Sequence, residues 1–150
     1  MAGLPPIISI ITPSYNRVDE LKHLYQSLKN QSVDPSLFEF IVSDDGSTDS
    51  TKETVKQWQA ESNFPIKFIT QENQGPGAAR NHGLEQCEGE LILFIDSDCE
   101  AHPDWIKTIY DEYTNDSFDA CGGPDAAKDD FTTLQKAIDF AMTSFFTTGG

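Results

Sequence analysis

Leu91-Ile92-Leu93-Phe94-Ile95-Asp96-Ser97-Asp98 decides how this chain is read, because an unbroken apolar run ends in two carboxylates one residue apart. The run predicts a fully buried strand over Glu90–Ile95. Open α/β sheets bind ligands at the carboxyl ends of their strands, which is where this acidic pair falls. Side chains at i and i+2 of an extended chain share a face, roughly 6.5–7 Å apart at the backbone, so Asp96 and Asp98 are placed to converge on one hard cation. Taken alone, Asp-x-Asp also reads as a solvated acidic turn.

A second acidic turn strengthens the ligand reading. Phe38-Glu39-Phe40-Ile41-Val42-Ser43 predicts another buried strand, and it runs into Asp44-Asp45-Gly46-Ser47-Thr48-Asp49. Adjacent carboxylates raise each other's cost of ionisation unless something binds them, so a ligand is expected there. Ser50-Thr51-Lys52-Glu53 has the form of a capping box, which accounts for the end of the turn but not for Asp44 and Asp45.

The remaining elements alternate. Ile7–Thr12 predicts a first strand, broken by Pro13-Ser14-Tyr15-Asn16. Leu21, Leu24, Tyr25 and Leu28 then carry helical spacing, with Asn16 as the expected cap. Thr51, Val55 and Trp58 mark a second helix, and Pro65–Thr70 a third strand. Gly75-Pro76-Gly77 opens a short helix through Cys87, and Trp105, Ile106, Ile109, Tyr110 and Tyr113 line a helix that begins at Pro103. Such alternation predicts an α/β fold, Rossmann-like, with a mostly parallel sheet and helices on both faces. Phe118–Cys121 is a candidate short strand, and Leu134, Ala137, Ile138, Ala141, Met142 and Phe145 form an amphipathic pattern.

Composition limits the partners. The 150 residues carry 25 Asp plus Glu against 10 Lys plus Arg, a formal charge of −15, which argues against nucleic acid or an anionic membrane as direct partner. No stretch approaches the roughly 20 apolar residues of a membrane span. A phosphorylated ligand would have to be held by backbone N–H groups, a few placed cations or a divalent metal ion. Cys87, Cys99 and Cys121 form no Cys-x-x-Cys pair, so the expectation is a reducing, cytoplasmic setting without a disulfide or zinc framework.

Pro13-Ser14-Tyr15-Asn16, Asp44-Asp45-Gly46-Ser47-Thr48-Asp49, Asn73-Gln74-Gly75-Pro76-Gly77-Ala78-Ala79-Arg80-Asn81-His82-Gly83 and Asp96-Ser97-Asp98 follow one another in the order seen in family 2 glycosyltransferases. Over about residues 7 to 125 the chain resembles that family, whose fold is GT-A. The resemblance implies a nucleotide-diphosphate sugar donor, most often a uridine one. Pro13, Tyr15 and Asp45 would line the base pocket, Asp45 accepting a hydrogen bond from the base and Asp44 supporting it. Arg80 would lie on the base or ribose, Gly75 and Gly77 would let the backbone approach the ligand, and Asn73 and Ser97 would complete the donor site. Asp96 would reach the ribose or the metal through water, and Asp98 would ligate Mg²⁺ or Mn²⁺ directly.

Such a cation would take up the charge that develops on the leaving diphosphate, and an inverting enzyme would add a carboxylate base for the acceptor hydroxyl. In this family that base comes from beyond a segment like Gly149-Gly150. Residues 1–150 are therefore expected to form one GT-A donor-binding domain, cut off before its acceptor-binding part, with Asp125 the only late carboxylate to consider. The acceptor, whether carbohydrate, lipid-linked or protein, is left open. Competing readings are a nucleotide-sugar-binding module without transfer activity and a haloacid-dehalogenase-type phosphatase. In the latter, the first Asp of Asp-x-Asp would be the nucleophile.

Overall fold

Two seven-residue strands in which every side chain is buried, β1 (Ile8–Ser14) and β2 (Phe38–Asp44), form the centre of the fold. They pair in parallel along their whole length, from Ile8 opposite Phe38 to Ser14 opposite Asp44. β3 (Ile66–Thr70) joins the free edge of β2 and β4 (Leu91–Phe94) joins β1, giving the order β3-β2-β1-β4 with every pairing parallel. The structure is a computed structural model that describes residues 6–115, 119 and 120. The chain divides into two units, Met1–Glu112 and Tyr113–Gly150, and the sheet and every candidate site residue except Asp125 lie in the first. Phe118–Cys121 as a strand, the 134–145 helix pattern and Asp125 fall wholly or mainly outside the described residues.

The helices are α1 (Val18–Lys29), α2 (Thr51–Glu61), α3 (Pro76–Leu84) and α4 (Trp105–Asn115). Strand parity shows which face each of the first three covers, since successive side chains point to opposite faces. Phe38 meets Phe64 at 4.7 Å between ring centroids, and Phe64 in turn meets Tyr25 of α1, which stacks on Trp58 of α2 at 4.2 Å. Ser43, of opposite parity, donates its hydroxyl to the carbonyl of Ala79 in α3. Helices thus cover both faces, as the alternation predicts. Leu21, Leu24, Tyr25 and Leu28 of α1 and Thr51, Val55 and Trp58 of α2 are all buried, matching their spacing.

Several expectations change in detail. β1 starts one residue later than predicted and runs on to Ser14, β3 begins at Ile66, and α3 stops at Leu84, three residues short of Cys87. β4 is shorter than predicted and is not fully buried: Ile92 is half-buried and Phe94 is 47% exposed. Its position explains this, because among the described residues β4 pairs only with β1 and lies at the end of the strand order.

The α3 face also carries a buried carboxylate. Glu39 is 1% exposed, accepts from Ser9 Oγ at 2.6 Å and from the Glu88 N–H at 2.8 Å, and pairs with Lys67 Nζ at 2.7 Å. Ser9 Oγ also accepts from the Gly89 N–H. These bonds fasten the α3–β4 connection onto the sheet. Burial pushes the Glu39 carboxyl up, but the bonds from Lys67, Ser9 and Glu88 outweigh it and hold the pKa below the usual value.

Two measurements test this layer. At Gly89 an added Cβ would lie 2.6 Å from the backbone nitrogen of Ser9, whereas at Gly83 it would meet side-chain atoms alone, those of Ile11 and Ser43. Gly89→Ala is expected to destabilise by about 3 kcal/mol in urea titration, and Gly83→Ala by less, because a side chain can shift and a strand cannot. Glu39, with its folded pKa lowered, contributes stability that is complete above the unfolded value of about 4.5 and lost as pH falls through the folded one. Glu39→Gln is therefore expected to be less stable at pH 7 and to show a shallower decline towards acid.

Candidate functional site

β1 and β2 end level with each other, at Ser14 and Asp44, so the turns that follow them meet at the carboxyl edge of the sheet. Asn16 joins the two. It takes a left-handed backbone, φ 51°, a conformation Asn tolerates better than most residues. Its Oδ1 accepts from the N–H groups of Thr48 at 2.7 Å and Asp49 at 3.3 Å, while its own N–H donates to Ser47 Oγ. Asn16 is therefore not the cap of α1. That role belongs to Asp49, whose Oδ2 accepts from the Val18 N–H at 3.1 Å while Oδ1 accepts from Thr51 at the start of α2. The Ser50 capping box does not form either, since Ser50 makes no side-chain cap bond. One carboxylate opens two helices.

Asp44 and Asp45 are both buried, at 4% and 3% exposure. Asp44 Oδ2 accepts from the Ser47 N–H at 3.1 Å and from Thr70 Oγ1 at 2.9 Å. Its Oδ1 is buried without a hydrogen-bond partner, as are the hydroxyls of Thr12 and Ser14. Asp45 Oδ1 accepts from Gln71 Nε2 at 2.8 Å and the Gln74 N–H at 2.9 Å, and Oδ2 from the Gly75 N–H at 2.8 Å. Burial raises the Asp45 pKa, but these three donors outweigh it and leave it below the usual carboxylate value. Asp45 is thus held by donors from the 71–75 loop, while Asp44 keeps one buried oxygen without a partner. Gly75 owes its identity to this loop: it sits at φ 92°, in the region only glycine enters freely, and precedes Pro76 at the first turn of α3.

Asp96-Ser97-Asp98 is a turn rather than the continuation of β4, closed by the Cys99 N–H donating to the Asp96 carbonyl at 3.1 Å. The same-face geometry expected of an extended Asp-x-Asp therefore does not hold. The carboxylates are half-exposed and each meets a different arginine. Asp96 Oδ1 takes Arg80 Nη2 of α3 at 2.5 Å, and Asp98 Oδ2 takes Arg17 Nη1, at the head of α1, at 3.0 Å. Ser97 between them is buried.

The other predicted residues lie along the same edge. Pro13 is buried in β1 and Tyr15 is 47% exposed just beyond it; Asn73 and Gly77 are exposed, and a Cβ at Gly77 would meet nothing within 4 Å. Arg17, Asn16, Asp49, Gln71 and Gln74 were missed. Asn16, Asp49 and Gln74 stand within the quoted motifs, but their roles depend on partners some thirty residues away, which the motifs do not record. A depression of about 350 Å³ runs beside α3, lined by Gln71, Gln74, Asn81 and His82, and none of the site carboxylates lines it.

The model of glycosyl transferase family 2 matches residues 9–149. The chain belongs to that family. It is 35% identical over 124 residues to glycosyltransferase AglE of Haloferax volcanii, covering 82% of this chain and 40% of the relative. It is 40% identical over 106 residues to the GalNAc(5)-diNAcBac-PP-undecaprenol beta-1,3-glucosyltransferase of Campylobacter jejuni, covering 69% of this chain and 33% of the relative. Among solved structures, Staphylococcus aureus TarS 1-349 in complex with UDP-GlcNAc superposes with a TM-score of 0.69 at 30% identity, over 79% of this chain and 37% of that one. The chain thus spans well under half the length of these relatives. The GT-A fold is that of its structural neighbours, and the family match overturns the phosphatase alternative.

Asp45→Asn leaves one acceptor where three donors converge and turns an amide towards an N–H group. The expected cost is about 1–3 kcal/mol, with faster amide exchange at Gln74 and Gly75. Since its folded pKa is lowered, the stability from Asp45 is present above about pH 4 and lost as pH falls, and the variant should lack that part of the acid limb.

Proposed function

We propose that this chain is the donor-binding part of a GT-A domain in a metal-dependent, inverting glycosyltransferase. Its donor is a nucleotide-diphosphate sugar, with uridine as the base, and its acceptor is a hydroxyl. The observation that carries this reading is the gathering of two acidic turns and the Gln71–Gly75 loop at the carboxyl edge of β1, β2 and β4, in a chain of family 2. The TarS fragment bound to UDP-GlcNAc supports the choice of nucleotide.

Base and ribose would lie between Pro13, Tyr15 and the loop that Asp45 holds, with Asp44, Asn73, Gly75, Gly77, Arg80, Asp96 and Ser97 around them. Tyr15 offers an exposed ring for stacking. In this structure both Asp45 oxygens already serve the 71–75 loop, so its contribution to base recognition includes holding that loop in place.

The donor atoms fit Mg²⁺ or Mn²⁺. Asp98 and Asp96 present hard carboxylate oxygens, and each is already paired with a cation, a guanidinium. Among the described residues no three His, Cys, Asp or Glu side chains form a ready-made metal cage, so the ion's other ligands would come from water and phosphate oxygens. When bound, it would stabilise charge on the leaving diphosphate. No helix among the described residues is long and apolar enough to cross a membrane; a cytoplasmic setting is part of the proposal, supported by cysteines without paired spacing.

Calorimetric titration of UDP into the chain, with Mn²⁺ and with EDTA, tests this. Binding is expected only with metal, and Asp98→Ala is expected to weaken it by about tenfold or more, about 1.4 kcal/mol. A folded chain that ignores UDP under every condition would overturn the proposal; binding without transfer in the extended protein would mark a module that binds without catalysing.

A further inference from the structure

Arginine is scarce here: Arg17 and Arg80 are the only two in the sequence, against 25 Asp plus Glu. Both sit on the same acidic turn, one on each carboxylate of Asp96-Ser97-Asp98. They arrive from different elements, Arg17 from the residue that precedes α1 and Arg80 from within α3. Their side chains are 49% and 34% exposed, and those of Asp98 and Asp96 are 53% and 57% exposed.

We propose that Arg17 and Arg80 are internal counterions of this turn. A divalent cation displaces them from Asp98 and Asp96, and the released Arg17 guanidinium takes the donor's diphosphate oxygens while Arg80 turns to the base or ribose. The inference rests on the donor site proposed above. A carboxylate oxygen that receives a guanidinium N–H has less of its charge and lone-pair density to offer a metal ion. Exposed ion pairs are weak, so the exchange is open to a doubly charged competitor. A guanidinium freed beside that cation is repelled by it until an anion arrives, and its fork matches phosphate oxygens. Cation and diphosphate therefore bind cooperatively, each raising the other's affinity by the same factor. Arg17 thereby becomes a donor-binding residue.

The test measures Mn²⁺ binding to the chain alone, from the paramagnetic resonance signal of free Mn²⁺, and then UDP binding at saturating Mn²⁺. It compares wild type, Arg17→Gln, Arg17→Lys and Lys56→Gln, the last a loss of one positive charge on α2 that serves as control; thermal unfolding checks that each folds. Arg17→Gln is expected to bind Mn²⁺ about two- to fivefold more tightly than Lys56→Gln, and UDP in the presence of Mn²⁺ several-fold more weakly. Arg17→Lys should keep part of both effects. Opposite signs for metal and nucleotide are the signature, since a residue that merely supports the turn would weaken both. If wild type binds Mn²⁺ and Arg17→Gln binds it no more tightly than the control, the counterion role is wrong while the donor site stands. Should no form bind Mn²⁺, with or without UDP, the metal reading of the site fails and takes this inference with it.

Discussion

The pairing of β1 with β2 is the constraint on which the rest depends. Seven residues in parallel register, all buried, bring Ser14 and Asp44 to the same level, and every functional turn is measured from that line. Because side-chain direction alternates along a strand, a slip of one residue would move Phe38 and Phe40 from one face to the other and expel Glu39 from its partners. The register is held by this mismatch: one face of β2 carries Phe38 packed on Phe64, the other a carboxylate bonded to Ser9, Lys67 and Glu88.

Carboxylates in this site have two kinds of work. Asp44, Asp45 and Asp49 are buried or partly buried, and their oxygens take N–H and hydroxyl groups from neighbouring turns. They stitch the connections after β1, β2 and β3 into one edge. Asp96 and Asp98 stand half-exposed, and their partners are the guanidiniums of Arg80 and Arg17. The first group is therefore fixed by buried hydrogen bonds, the second by exposed ion pairs, which hold less firmly. The acidity of the whole chain does not oppose a phosphorylated ligand, since the few cations near the edge are concentrated on the turn where they would be used.

Much of the fold was legible because buried strands and amphipathic helices declare themselves locally. Leu21, Leu24, Tyr25 and Leu28 in α1 are all buried, as their spacing predicts, whereas in α4 Ile106 is fully buried and Trp105, Ile109, Tyr110 and Tyr113 are half-buried. The errors fell at the ends. Asn16 was expected to cap α1 because it stands before the helical pattern, yet a cap is any acceptor that reaches the first N–H groups, and Asp49 reaches them across a gap of 31 residues. β4 was expected to be fully buried from its composition, but exposure depends on the number of neighbours, which an apolar run does not encode.

The sequence by itself determined the order of elements, the parallel class of the sheet and the placement of both acidic motifs at strand ends, because periodicity and residue type are local properties. Four motifs in order were also enough to point to the family. Only the tertiary structure decided what each carboxylate touches. Asp45 is committed to the Gln71–Gly75 loop, the Asp96–Asp98 segment curls into a turn, and Arg17 crosses 81 residues to meet Asp98. Such contacts are set by how the strand ends align in space, and nothing in the intervening chain records them.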